Sequence, residues 1–132
     1  MLLTGDIERT SEALLVARGA ESLRADALLV PHHGSKTSSS EEFLAAVAPA
    51  VAVIPAGYRN RFGHPNAEVL ERYAALRVQV LRTDRDGAIT MRIGPDALGA
   101  ALERERSRRY WHPRSEQEHN SGAEFPATES RR

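Results

Sequence analysis

The chain contains no cysteine, which excludes disulfides and thiolate metal ligands and leaves its compartment open. It also lacks an excess of either charge, with 18 basic and 18 acidic residues among 132. No overall field therefore draws it to nucleic acid or to an anionic membrane, and an anionic partner has to be held by a local patch. Aromatic residues are scarce at 5%. No apolar run approaches the roughly 20 residues that cross a bilayer, and no signal-peptide pattern is visible. The chain as given is expected to be soluble. Its length suits one domain or a little less, with a single modest core.

What is present alternates. Leu2–Leu3 reads as a strand that ends at Thr4, Gly5 and Asp6, and it starts so abruptly that it suggests a longer fold that has been cut. "ERTSEALLVARGA" places Ala13, Leu14 and Ala17 at helical spacing, with Gly19 as a stop. "ADALLV" and "AVAVIPAG" are short continuous apolar runs, the pattern of strands buried on both faces. "SSSEEFLAAVAP" has serine caps, an acidic first turn and an apolar side of Phe43, Leu44 and Val47. "HPNAEVLERYAAL" reads as a helix with Val69, Leu70, Tyr73 and Leu76 on its apolar face. "VQVLRTD", a turn at "DRDG" and "AITMRI" are expected to form a terminal strand pair. A last amphipathic helix is expected over 99–112, after a main unit at 1–98, and the polar residues 113–132 read as a disordered tail.

Strands alternating with helices predict an α/β fold, in which ligands gather at the carboxyl ends of the strands. Three successive strand ends carry chemistry. The first ends in Asp6; the second in His32, His33, Gly34, Ser35, Lys36 and Thr37; the third in Gly57, Tyr58, Arg59, Asn60, Arg61 and His64. Taken singly, each is also a common cap or loop residue. Together, carboxylate and imidazole are donors that zinc, manganese or iron accept. The hydroxyls and the start of the following helix suit an anionic oxygen such as phosphate.

In order, "LLTGD", "LLVPHHGSKTSSS", "VAVIPAGYRNRFGHPNAEVL" and "VLRTDRDGAI" resemble the C-terminal portion of the metallo-β-lactamase-like domain of ComEC-type competence proteins, inner-membrane channels for DNA uptake in natural transformation. The resemblance covers roughly residues 2–94. It implies the C-terminal half of an αββα sandwich, with this domain on the outer side of the membrane. It implies that Asp6 bridges two divalent ions, zinc or manganese, in the complete domain, and that one of His32 and His33 ligates the second ion. Which histidine does so stays open. Asp6 and His64 are the implied catalytic groups. Asn60, Arg61 and His64, with Ser35, Lys36 and Thr37, are the implied phosphate contacts. DNA, single-stranded or duplex, is the implied partner.

The "HxHxDH" ligand cluster of that family is absent from this chain. The expectation is therefore a partial hydrolase domain, nuclease-like in type and inactive alone. It would lean on the N-terminal half of the domain, on a channel polypeptide or on self-association through the apolar sheet face that a missing half leaves bare. Two other readings stand beside it. One is a non-catalytic DNA-binding or channel-associated module using Arg59, Arg61, Arg72 and Arg77 with Tyr58. The other is a metallo-hydrolase of a different phosphoester or ester.

Overall fold

Four short apolar runs become four parallel strands. The computed structural model describes residues 1–95 and 97–107 and the backbone of 124–126. Strands β1 (Leu2–Leu3), β2 (Ala27–Leu29), β3 (Val51–Ile54) and β4 (Gln79–Arg82) lie side by side in chain order. The register pairs Leu2 with Leu28, Leu28 with Ala52, and Ala52 with Val80. Parallel neighbours require crossovers, supplied here by helices α1 (Arg9–Gly19), α2 (Glu41–Val47) and α3 (Ala67–Ala75). Because the strand order never reverses, right-handed crossovers place all three helices on one face.

That face holds the larger core. Phe43, Leu44 and Val47 of α2 and Val69 and Tyr73 of α3 pack on Leu28, Val30, Ala52 and Ile54. An α2 of seven residues is too short to persist alone. Burying three large apolar side chains, about 2 kcal/mol each, outweighs that deficit. The expected apolar faces of α2 and α3 hold, except that Leu76 is exposed just past the end of α3.

Helix α1 departs from expectation. Ala13, Leu14 and Ala17 point to solvent, and the inward stripe is Glu12, Leu15 and Val16. The face is turned because the fully buried Glu12 carboxylate accepts hydrogen bonds from the backbone N–H groups of Ser39 (2.6 Å) and Ser40 (2.8 Å), just ahead of α2. Arg72 clasps the same turn, donating to the carbonyls of Ser38 and Ser39, both at 2.9 Å. The buried Tyr73 hydroxyl meets Ser39 Oγ at 3.1 Å. Burial pushes its phenol above the usual pKa, and the Ser39 hydrogen bond opposes this.

The other face of the parallel sheet is covered as well. After β4, residues Thr83–Asp86 form one helical turn, α4, in place of the expected hairpin turn. The chain then enters β5 (Ile89–Ile93), which pairs antiparallel with β6 (Ala97–Leu102) and not with β4. The expected helix beginning at residue 99 is thus a strand up to Leu102, followed by the single turn α5 (Glu103–Arg106). Cross-strand pairing overrides the helix propensity of "ALGAAL" because Leu98, Ala100 and Leu102 then meet the sheet beneath. Ala27, Val51, Val53 and Leu81 are buried by this contact, so the bare apolar face expected from the sequence does not exist at these positions. The layers run helices, parallel sheet, antiparallel sheet.

The rest of the expected helix and tail, 108–123 and 127–132, lies outside the described residues. Within the expected tail, Glu124–Pro126 forms a strand, β7, paired antiparallel with β6. Among the described residues no helix is long and apolar enough to cross a membrane.

Candidate active site at the strand ends

The carboxyl ends of β1 to β3 converge, as the alternation requires. Gly5, in the left-handed region at φ 59°, turns the chain out of β1, and its carbonyl accepts the N–H of His32 at 3.1 Å. That bond ties the first exit loop to the second.

The histidine pair sits on strained backbone. His32 (φ 47°), His33 (φ 55°) and Gly34 (φ 78°) are successive residues in the left-handed region. Non-glycine residues there cost of order 1–3 kcal/mol each and persist only where surroundings hold them. Several bonds hold them here. Ser35 N–H donates to the His32 carbonyl (2.9 Å), Ser38 Oγ to the Pro31 carbonyl (2.9 Å), and Asn66 N–H to the Gly34 carbonyl (2.9 Å). Gly34 is also pressed against Pro65, which brings the third exit loop onto the second.

This backbone splits the two rings between two carboxylates. His33 Nδ1 lies 2.8 Å from the Pro55 carbonyl. A carbonyl only accepts, so Nδ1 carries a proton, and Nε2 is the nitrogen left for a second partner. Nε2 faces Asp6 Oδ1 at 3.5 Å. Two acceptors so placed call for a proton or a cation between them. His32 Nδ1 instead lies 3.1 Å from Glu8 Oε1, without the alignment of a hydrogen bond. The His64 ring stands edge-on to His32, with centroids 6.1 Å apart, and stacks on Phe62 at 6.0 Å.

The Asp6–His33 spacing suits a metal. Oxygen and nitrogen ligands about 2.1 Å from a tetrahedral zinc stand about 3.4 Å apart, close to the separation seen. A backbone carbonyl fixing the other ring nitrogen is the usual support of a ligating histidine. Two donors are still fewer than the three or four that hold zinc. Among the described residues, no group of three or more potential ligands comes together. The pair fits as part of a metal site and is not a whole one.

Several implied phosphate contacts are already engaged. Ser35 Oγ and Thr37 Oγ1 bond each other at 3.1 Å, and Thr37 Oγ1 donates to Glu8 at 2.9 Å. Lys36 Nζ pairs with Glu68 at 2.6 Å. That bond holds the Glu68 carboxyl below its usual pKa, so the pair contributes near neutral pH and is lost as pH falls through the lowered value. Both groups face solvent, so the contribution is small. Asn60 spends its amide on its own loop: Oδ1 accepts the His64 N–H (3.0 Å), and Nδ2 donates to the carbonyls of Gly57 (3.1 Å) and His64 (2.6 Å). Asn60→Ala should therefore speed hydrogen exchange at the His64 amide about tenfold, the loss of roughly one net hydrogen bond. An unchanged rate would show that the loop does not depend on Asn60.

The basic patch considered from sequence divides. Arg72 is committed to the turn before α2. Arg77 follows α3, which runs against the strands, and so sits at the opposite edge of the sheet. Arg59 and Arg61 stay at the site. Glu8 and Phe62 escaped the sequence reading. Glu8 follows Asp6 by two residues in the same exit loop, and Phe62 is an apolar aromatic between Arg61 and Gly63 in a polar loop. Those placements were the available signals.

Comparison with known proteins finds relatives among competence and recombination proteins. The chain is 40% identical over 100 residues to Competence protein ComA of Neisseria gonorrhoeae, covering 76% of this chain and 14% of that one. It is 43% identical over 91 residues to ComE operon protein 3 of Bacillus subtilis, covering 69% of this chain and 12% of the relative. It is 38% identical over 99 residues to Recombination protein 2 of Haemophilus influenzae, covering 74% and 12%. The chain thus spans about an eighth of the length of these relatives. Their names support a ComEC-type competence kinship. No family model and no solved structure matches the chain.

Proposed function

We propose that the chain is part of a metal-dependent hydrolase domain of the metallo-β-lactamase-like type, acting on phosphodiesters in competence-associated DNA uptake beside a membrane channel. The observation that carries this reading is the Asp6–His33 pair, an imidazole Nε2 held 3.5 Å from a carboxylate at adjoining strand ends, with Nδ1 engaged by the Pro55 carbonyl. In this reading the ligating member of the histidine pair is His33, and His32 and Glu8 stand beside it. The remaining ligands would come from the N-terminal half of such a domain, whose "HxHxDH" cluster this chain lacks, so the chain alone is expected to be inactive. A bound divalent ion, zinc or manganese, would supply a water of near-neutral pKa and charge neutralisation at the phosphate. This chain's own residues present Asp6, orient His33 through Pro55, and bring Arg59, Arg61 and His64 to where a phosphodiester would lie.

The test is a chimera in which this chain replaces the matched 100 residues of Competence protein ComA, assayed on a p-nitrophenyl phosphodiester with zinc or manganese. Phosphodiester hydrolysis is expected, falling about 100-fold or more with Asp6→Ala or His33→Ala and much less with His32→Ala. Hydrolysis of p-nitrophenyl acetate alone, or a rate indifferent to Asp6 and His33, would sink this reading.

A further inference from the structure

Two of the chain's few aromatic residues stand out in solvent on one loop. Tyr58 is 61% exposed and Phe62 67% exposed, and neither joins a core cluster. Each carries an arginine against its ring: the Arg59 guanidinium lies 5.3 Å from the Tyr58 centroid and that of Arg61 lies 4.9 Å from the Phe62 centroid. Neither arginine makes an ion pair with a carboxylate among the described residues, so both positive charges stay open to an anion. The loop is not slack. Asn60 knots it, Arg59 (φ 52°) and Gly63 (φ 68°) turn it, and Pro65 clamps its end to Gly34.

The rings also lead somewhere. Phe62 stacks on His64 (6.0 Å, 17° between planes), His64 meets His32 edge-on (6.1 Å), and His32 meets His33 (6.4 Å), whose Nε2 faces Asp6. Aromatic and cation are paired twice, at 58–59 and in reverse order at 61–62, so each exposed ring has a positive charge beside it, as each base of a nucleic acid strand has a phosphate.

We propose that the 57–64 loop is a stacking platform for unpaired bases, so that this site takes single-stranded nucleic acid in preference to duplex. The proposal rests on the phosphodiester reading above and adds what selects the substrate. Bases in a duplex already stack on one another and offer no free face to Tyr58 or Phe62. An unpaired base does. A cation–π contact at an exposed site is weaker than base–aromatic stacking. Arg59 and Arg61 can therefore leave their rings for phosphates while bases take their place. A preshaped loop limits the ordering cost of that exchange.

The test is fluorescence anisotropy on the full chain with a labelled dT oligonucleotide of about 12 nucleotides, the same length carrying abasic residues, and a hairpin duplex. The dT strand should bind tightest. Phe62→Ala should weaken it about fivefold or more, Phe62→Tyr should restore it, and Phe62→Ala should not affect the abasic strand. Arg59→Ala with Arg61→Ala should flatten the salt dependence. Equal binding of dT, abasic and duplex probes with Phe62→Ala silent overturns the stacking proposal and leaves the phosphodiester reading standing, because the chimera's hydrolysis tests that separately. Binding of a proline-rich peptide in place of any oligonucleotide also overturns it.

Discussion

Gly34→Ala should destabilise the protein by about 3 kcal/mol, the sum of a left-handed alanine and an overpacked contact. Gly34 sits at φ 78°, and a methyl added there would lie 2.7 Å from Pro65 Cβ and 3.2 Å from Pro65 Cα. A proline ring cannot swing aside, so the loop carrying His64 must move as a body. Gly63 separates the two costs. It too has positive φ, at 68°, yet a methyl there meets nothing within 4 Å. Gly63→Ala should therefore cost only the backbone share, about 1 kcal/mol. Chemical denaturation of both variants measures the difference, and Gly34→Ala should lower the melting temperature by about 10 °C or more. Equal losses would mean that the contact between the second and third exit loops does not matter. Because Gly34 follows the histidine pair directly, the same substitution should part the His64 ring from His32.

The second large effect is expected at Glu12. Its carboxylate is fully buried and accepts from two backbone N–H groups, those of Ser39 and Ser40. Glu12→Ala removes both acceptors and strands both donors. Each unsatisfied group costs about 1–3 kcal/mol, giving a loss of about 3 kcal/mol in all. Glu12→Gln keeps the shape but turns an NH2 group toward one of the two N–H donors, so about half of that loss should remain. The damage should spread, because Ser39 also meets Tyr73 and its carbonyl accepts from Arg72. A loss below about 1 kcal/mol for Glu12→Ala would mean that water replaces the carboxylate.

The same residue shows why the sequence was legible in some places and not in others. The runs "ALLV" and "VAVI" are continuous and apolar, as strands covered on both faces must be, and they announced the parallel sheet and with it the three strand ends. Helix α1 could not be oriented in this way, because its buried stripe contains Glu12, a charge that only the backbone of a distant turn explains. Strand β6 was equally hidden. "ALGAAL" favours a helix locally, and only its pairing with β5 makes it a strand.

At the site, the convergence of Asp6 with the histidine pair followed from strand order alone. Which ring faces Asp6 did not, because both histidines lie in left-handed backbone where strand alternation no longer indicates which way a side chain points. Asn60 was carried over as a phosphate contact by the family resemblance; its amide holds the loop together, a role no sequence pattern announced.

The most direct test of the Asp6–His33 pair is nitrogen-15 NMR of the histidine side chains in this chain during a zinc titration. The account predicts that His33 Nε2 shifts as zinc is added, that His33 Nδ1 keeps its proton toward Pro55, and that Asp6→Ala abolishes the response. A zinc response at His32 or His64 with His33 silent, or a His33 response that survives Asp6→Ala, would contradict it.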